Sequence, residues 1–537
     1  MDNCRLLDFT FSACNMKSTP DYDWTNLHQN VAFQVEQYYE LWNRSENGDK
    51  PSTFLEAWAY GIAQFKSVLK EAEKNNKKVR VIGGGWSLSD IQRTTDYFIN
   101  ANPLNLIQVG LKVEHVQAGI EGDLYCLSQC GASVMEINEQ LRLHHRALST
   151  SGASDGQSIV GAISTGTHGS AFGFGAMCDF VEGLHIIVSD ALHYWVEGTR
   201  PVVTDAFVEM YMPGSVRIND DSVLNAAIVS FGSFGAIHAI LLKVEPIYEL
   251  EQYRDYFNWD LVKQSLNGPS HMDSFGFPVI DPFHFSIIVN PYKRDTTVVT
   301  SIKKNAFTEG NQPPVNNPGF GPSDEVLHLI GELGDLSSCV IPQIMEAVDK
   351  LIKQEFKKIG GDKSLPGWVF AGGTASGNGK AYSVELGVDA SQVAAAADVI
   401  FGVCQKTPFP GLIAFRYVKK TKTTLGFTKY PVTCAIEFPA TFCKATRDFY
   451  EAMYESLDQA GIEYTFHWGQ CNNLNAANVR AKYGDAAVES WINARHTILT
   501  SPQHQSMFSN DFLQRLQLDS LSVPPADPIL AKDDKKP

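Results

Sequence analysis

Residues Val79–Asp90 read Val-Arg-Val-Ile-Gly-Gly-Gly-Trp-Ser-Leu-Ser-Asp. The β-branched run Val79, Val81, Ile82 predicts a short buried strand that breaks into three glycines. Residues without Cβ let the backbone take φ > 0 and approach a ligand closely. Consecutive N–H groups in such a turn form a concavity suited to phosphate. A plain strand-ending turn explains the glycines equally well, so both readings stand on these residues alone.

Upstream, Thr53 with Glu56 makes a capping box for a helix carrying Trp58, Ile62, Phe65, Leu69 and Ala72 on one face. The glycine run therefore follows a helix–strand unit and does not open a helix. That order excludes the G-x-G-x-x-G dinucleotide fingerprint. A second capped helix starts at Ser133 and Glu136, with Val134, Ile137 and Leu141 on one face. Ala147–Ser170 then gathers Gly, Ser and Thr around Ile159, Val160 and Ile163 and ends in His168. A flexible linker lacks those apolar residues, so this stretch is read as a wall packed flat against a ligand.

The formal charge of −16 argues against nucleic acid as a partner, because phosphate contacts require a local Lys/Arg excess. At 537 residues the chain exceeds what one core supports. The ten cysteines show no CxxC pair and no zinc spacing, so no metal is expected and a reducing compartment is the simpler reading. No signal peptide is apparent at the N-terminus, and a cytoplasmic protein is expected. The apolar stretch Ala226–Val244 is interrupted by Ser230, Gly232, Ser233, Gly235 and His238. It reads as strand–turn–strand, not as a membrane span. Residues up to about Tyr22 are expected to form a surface arm, Gly310–Ser323 a surface loop and possible lid, and the tail from Ser522 a disordered end. Between about 250 and 460, strands at His284–Val289, Ala381–Val388 and Leu412–Val418 mix with helices at Ser391–Cys404 and Lys444–Ala460 in an α+β manner.

Taken in order, Val-Arg-Val-Ile-Gly-Gly-Gly-x-Ser, Ser164-Thr-Gly-Thr-His-Gly-Ser170 and Ser233-Phe-Gly-Ala-Ile-x-Ala239 resemble the FAD-binding domain of the vanillyl-alcohol-oxidase (PCMH-type) flavoprotein superfamily. Ala381-Tyr-Ser-Val384, Ala414-Phe-Arg-Tyr-Val418, Cys434-Ala-Ile-Glu-Phe438, His467-Trp-Gly469 and Met507–Leu516 resemble its aldonolactone and alditol oxidase branch. The resemblance implies an α+β fold with a two-subdomain FAD-binding domain over 25–248. A substrate domain with a large antiparallel sheet would follow over 249–460. A segment over 461–521 would return to the FAD domain, and 522–537 would be the tail. By position, Gly83, Gly84, Gly85, Trp86 and Ser87 would hold the FAD pyrophosphate. Thr150, Ser158, Gly161, Thr165, Gly166, Thr167, His168 and Gly169 would line the flavin and its phosphates. Ile237 would touch the adenine or pyrimidine end, and His467 would sit beside the isoalloxazine near N1 and O2. Many relatives carry a tethering His where this chain has Trp86, which offers no nucleophile, so FAD is expected to be non-covalent. Three other departures, Ala414, Glu437 and Gln470 in place of Glu, His and Lys, leave the sugar-lactone substrate open.

Flavin-linked alcohol oxidation requires a base near the hydroxyl proton. Glu437, in Ala-Ile-Glu-Phe-Pro, is the candidate base, against the alternative of a solvent-facing glutamate on an alternating strand. Arg416 would steady an alkoxide or reduced flavin, against a structural ion pair. Gln470 completes the candidate catalytic set with His467. Asn472 and Asn473 would orient a hydroxyl or dioxygen, against loop capping, while Tyr417 and Trp468 are read as packing. The expected partners are a small-molecule substrate and dioxygen or another acceptor. Three functions remain in view. One is oxidation of a CH–OH group, on a less hydroxylated substrate than a sugar lactone. Another is a different oxidation on the same fold, such as oxidative cyclisation or sterol oxidation. The third is a non-catalytic binding protein.

Overall fold

The computed structural model describes residues 16–45, 48–267, 275–279, 281–308, 338–366 and 381–519. The expectations for Gly310–Ser323 and for the tail from Ser522 lie outside them.

Two smaller sheets and one large one, with a two-stranded pairing of Arg146–Ala147 and Glu245–Pro246, organise the described residues. The first sheet holds Lys17–Thr25, Ala32–Glu40, Tyr97–Asn100 and Val79–Ile82, in that order. The expected surface arm is thus an edge strand from Lys17. Tyr22 stacks on Tyr38 at 4.3 Å and Trp24 packs at 5.1 Å from both Phe33 and Phe98, and this aromatic contact holds the hairpin closed. The second sheet runs Val216–Asn219, His193–Glu197, Val181–Ile187, Ala236–Lys243, Tyr125–Gln129 and Ile107–Val109. Helix Phe54–Lys74 buries Trp58, Ile62, Phe65, Leu69 and Ala72, as its spacing predicts. Thr53 caps it through the Glu56 N–H, but the Glu56 carboxylate reaches Ser52 and not Thr53. At Ser133 the capping box is complete. Within Ala226–Val244 the first half is not a strand: Asp221–Ile228 is a helix capped by Asp220, and only Ala236–Lys243 is extended. The Asp220 carboxylate accepts from the Ser222 and Val223 N–H groups, a helix-start signal that the apolar run obscures.

The third sheet is antiparallel throughout and has eight strands. Its far half runs Ile413–Lys419, Val432–Thr441, Ala381–Asp389 and Tyr464–Phe466, beside His284–Asn290. One face is covered by helices Val393–Lys406 and Lys444–Gln459, whose buried stripes include Ile400, Phe401, Phe449 and Met453. The other face looks toward the first two sheets. The chain end returns there: Arg515 pairs with Asp90, Asn510 donates to the Ile91 and Arg93 carbonyls, and Trp491 donates to Val229 O. Among the described residues no helix is long and apolar enough to cross a membrane.

Candidate active site

Strand Val79–Ile82 ends in a turn without a following helix, as the residue order predicts. Gly85 takes φ +67°, the left-handed region that favours glycine. A Cβ on Gly83 would lie 1.7 Å from the Ser158 Oγ, so the glycine turn and the start of the Ile159–Ser164 helix touch only because that Cβ is missing. Ser158 in turn caps Ile159–Ser164 by accepting from the Gly161 N–H. The hairpin loop missed by sequence reading clamps the glycines from behind: Leu27 N donates to Gly85 O at 3.0 Å, Asn26 to Ser87 O and Asn30 to Leu88 O.

These turns enclose a cavity of about 330 Å³. Its walls include Gly83, Gly84, Gly85, Trp86, Ser87, Ser158, Gly161, Thr165, Thr167, Ile237 and His467, all singled out from the sequence. Thr150 and Gly166 line neither this cavity nor its neighbour, and His168 and Gly169 line only the neighbour. Gly169 serves packing, since a Cβ there would meet Thr150 Oγ1 at 2.3 Å. His28 packs edge-on against Trp86 with ring centroids 5.7 Å apart and shares the cavity wall.

A second cavity of about 120 Å³ opens onto the large sheet. Strand register explains its chemistry. Glu385 stands opposite Glu437, Glu437 opposite Ala414, and Ser286 opposite Arg416. Side chains two residues apart share a face, so His284, Ser286, Arg416, Glu437 and Glu385 all project to one side. All five line this cavity.

They arrive paired. Arg416 Nη1 lies 2.5 Å from Glu437 Oε2 and 3.4 Å from Glu385 Oε1. His168 Nε2 lies 3.0 Å from Glu385 Oε1, while its Nδ1 donates to Gly169 O at 2.7 Å. Burial pushes the Glu385 carboxyl upward, but His168, then His467 and Arg416, outweigh it and hold it down at about 2. Gln470 Nε2 donates to Glu437 Oε1 at 3.3 Å. Glu437 is therefore neither alone nor a solvent-facing strand residue. His467 accepts the Gly469 N–H at Nδ1, which leaves the ring proton on Nε2. Burial lowers His467 to about 4, against the pull of Glu385, so the ring is neutral near pH 7. Burial, then Arg416 and Arg254, likewise pulls His284 well below its ordinary value.

Glu437, His467 and Gln470 line both cavities, together with Thr167, Ser154 and Gln157. Asn472 lines neither; its Oδ1 accepts from Leu474 N and it caps the loop, and Asn473 lines neither as well. Tyr417 and Trp468 are buried and donate to Leu266 O and Leu425 O, which is packing. Glu385 and His284 escaped the sequence reading, though Glu385 had a signal: it is the one charged residue in the apolar alternation Val384–Val388.

The larger cavity fits a polar dinucleotide. Buried atoms on its wall lack any hydrogen-bond partner: Arg80 Nε, both amide atoms of Gln92, Gln157 Oε1, Ser383 Oγ and Gln470 Oε1. Buried polar groups are normally paired, so these await a ligand's groups.

Comparison with known proteins agrees. Residues 59–196 match the FAD binding domain family. The D-arabinono-1,4-lactone oxidase of Debaryomyces hansenii is 25 % identical over 215 residues, 37 % of this chain and 35 % of that one. The L-gulonolactone oxidase of Mus musculus is 28 % identical over 190 residues, 35 % of this chain and 37 % of that one. The chain thus covers about a third of the length of these relatives. A crystal structure of cholesterol oxidase from B. sterolicum superposes with a TM-score of 0.68 at 12 % identity, covering 93 % of this chain and 97 % of that one. The shared α+β architecture, with its large antiparallel sheet, is that of the PCMH-type FAD-binding fold.

Proposed function

We propose that this chain, a member of the PCMH-type FAD-binding flavoprotein superfamily, oxidises a CH–OH group of a small polar molecule with non-covalently held FAD. The observation that carries the reading is the junction of the two cavities at Glu437, His467 and Gln470. FAD, when bound, supplies a hydride acceptor that dioxygen or another oxidant returns to its starting state. The backbone of Gly83–Ser87 and the hydroxyls of Ser158 and Thr165 would hold its phosphates and flavin, and Trp86 offers no atom for a covalent tether.

Substrate enters the smaller cavity. Glu437, with Arg416 Nη1 2.5 Å away, takes the hydroxyl proton at a carboxylate oxygen. Arg416 stays protonated and faces the negative charge that grows on the substrate oxygen. His467 donates from Nε2 toward charge that grows on the cofactor side. The His168–Glu385 pair fixes the wall, because Glu385 also accepts the His467 backbone N–H at 3.0 Å through its carbonyl.

The smaller cavity favours a small hydroxylated substrate over a sterol: its volume is about 120 Å³ and Ser151, Ser154, Gln157, His284, Ser286 and Arg416 stand around it. Lactone oxidation by the curated relatives points to the same substrate class. The test is an anaerobic screen of lactones, polyols and sterols for bleaching of the bound flavin, repeated with Glu437→Gln. Bleaching by a small hydroxylated compound, lost in the variant, supports the reading. Bleaching by sterols alone, or equally fast in the variant, overturns it.

A further inference from the structure

Strand Val79–Ile82 carries an arginine into the core just before the glycines. Arg80 is buried, and its guanidinium donates to the carbonyls of Gly232 (3.0 Å), Ile91 (2.5 Å) and Phe231. Those acceptors are neutral. Among the described residues no carboxylate pairs with Arg80, and the charged group it feels is another cation, Arg495. Arg495 is itself buried and bonded to carbonyls, including Ser233 O on the same turn. A buried charge without a counter-ion is costly even when hydrogen-bonded. Yet Arg80 also lines the larger cavity, with its Nε buried and unpartnered.

The neighbouring residue on that wall has the same defect in another form. Gln92 is buried, lines the cavity, and leaves both its amide N and O without a partner. Gln92 follows Ile91, whose carbonyl Arg80 holds, and both residues line the cavity that Ile237 also lines. A carboxamide offers a donor and an acceptor side by side, which matches the donor–acceptor edge of adenine. An unpaired cation on the same wall matches a phosphate.

We propose that the Arg80–Gln92 wall is an adenine-nucleotide subsite, where the Gln92 carboxamide pairs with the base edge and the nucleotide phosphate supplies the counter-ion that Arg80 lacks. This rests on FAD occupying the larger cavity, and it seats the adenosine half at the Ile237 wall. Gln92 and Arg80 then act on different parts of one ligand, and nucleotide fragments separate them.

The experiment is calorimetric titration of the full-length chain, stripped of flavin, with ADP and with adenosine. Gln92→Met weakens both ligands by about tenfold, the loss expected for one bidentate base contact. Arg80→Gln weakens ADP by about tenfold or more and leaves adenosine nearly unchanged. Should Arg80→Gln not fold, Arg80→Lys keeps the charge and retains the wild-type preference for ADP over adenosine. ADP binding unchanged in Gln92→Met overturns the base contact. Equal loss of ADP and adenosine in Arg80→Gln, or loss of the ADP preference in Arg80→Lys, overturns the phosphate contact. A wild-type chain that takes up ADP but no FAD refutes the flavoenzyme reading and leaves the subsite supported. One that binds neither refutes both.

Discussion

The two cavities share six lining residues, Glu437, His467 and Gln470 among them, but are built on opposite principles. The larger one is walled by backbone turns and by polar atoms that have no partner: Arg80 Nε, the Gln92 amide, Gln157 Oε1. The smaller one is walled by charged side chains that already satisfy one another: Arg416 with Glu437 and Glu385, and Glu385 with His168. A site with orphaned donors and an uncompensated cation gains most from a permanent, anionic occupant. A site whose two carboxylates already face a guanidinium and an imidazole has its polar groups paired as it stands, and it suits an uncharged substrate that comes and goes. The contrast is what supports assigning the larger cavity to the cofactor.

Perturbing the junction breaks the contrast most sharply. Glu437→Gln removes the base while keeping the shape, and stopped-flow flavin reduction should slow by about 10²–10⁴-fold. His467→Phe removes a neutral donor, and the same rate should fall by about 10²-fold, with the flavin midpoint potential shifted downward. Arg416→Met leaves Glu385 and Glu437 facing each other without their shared cation. Calorimetry should then show a stability loss of about 3–5 kcal/mol, because a broken buried pair leaves unpaired charge behind. A loss below about 1 kcal/mol would mean that water reaches the pair.

A milder effect separates scaffold from site. His238, His185 and His193 form a buried chain, with His185 Nδ1 3.0 Å from His238 Nδ1 and His185 Nε2 2.9 Å from His193 Nδ1. Burial, then the neighbouring rings, holds His185 well below its ordinary value; burial, then His193, brings His238 down to about 3. A histidine whose folded value is depressed contributes stability that is present above its unfolded value of 6.5 and is lost as the pH falls toward the folded value. The unfolding midpoint should therefore decline as pH drops from about 6.5, with each of His185 and His238 costing about 1.4 kcal/mol per pH unit. His238→Gln should flatten that slope; an unchanged slope would show that the chain of rings is hydrated. The smallest effect belongs to Ser133→Ala, which should cost about 1 kcal/mol in thermal unfolding through loss of the capping box.

How much of this was legible follows from the range of the forces involved. Local signals read well: the Ser133 box, the apolar stripe of Phe54–Lys74, the glycine turn, and the small-residue wall ending at Thr167. Motif order then supplied the fold class and the glycine-turn and small-residue parts of the larger cavity's lining. Non-local pairing did not read. Glu437 as a lone strand residue gave no hint of Arg416, because their meeting depends on register between two strands. His168 was assigned to the flavin wall, whereas Glu385, on another sheet, draws it to the smaller cavity. The edge strand Lys17–Thr25 was missed because its stability comes from aromatic rings on Phe33, Tyr38 and Phe98, not from its own pattern. The start of Ala226–Val244 reads as a strand, although it continues the helix Asp221–Ile228, because a buried short helix and a buried strand are both simply apolar.

The central claim is that the larger cavity holds FAD by contacts alone. The most direct measurement is the visible spectrum of the purified full-length protein, taken before and after acid precipitation. The account predicts flavin bands in the native protein and all of the flavin in the acid supernatant, identified there as FAD. A colourless protein that takes up no added FAD, or a yellow precipitate over a colourless supernatant, would contradict it.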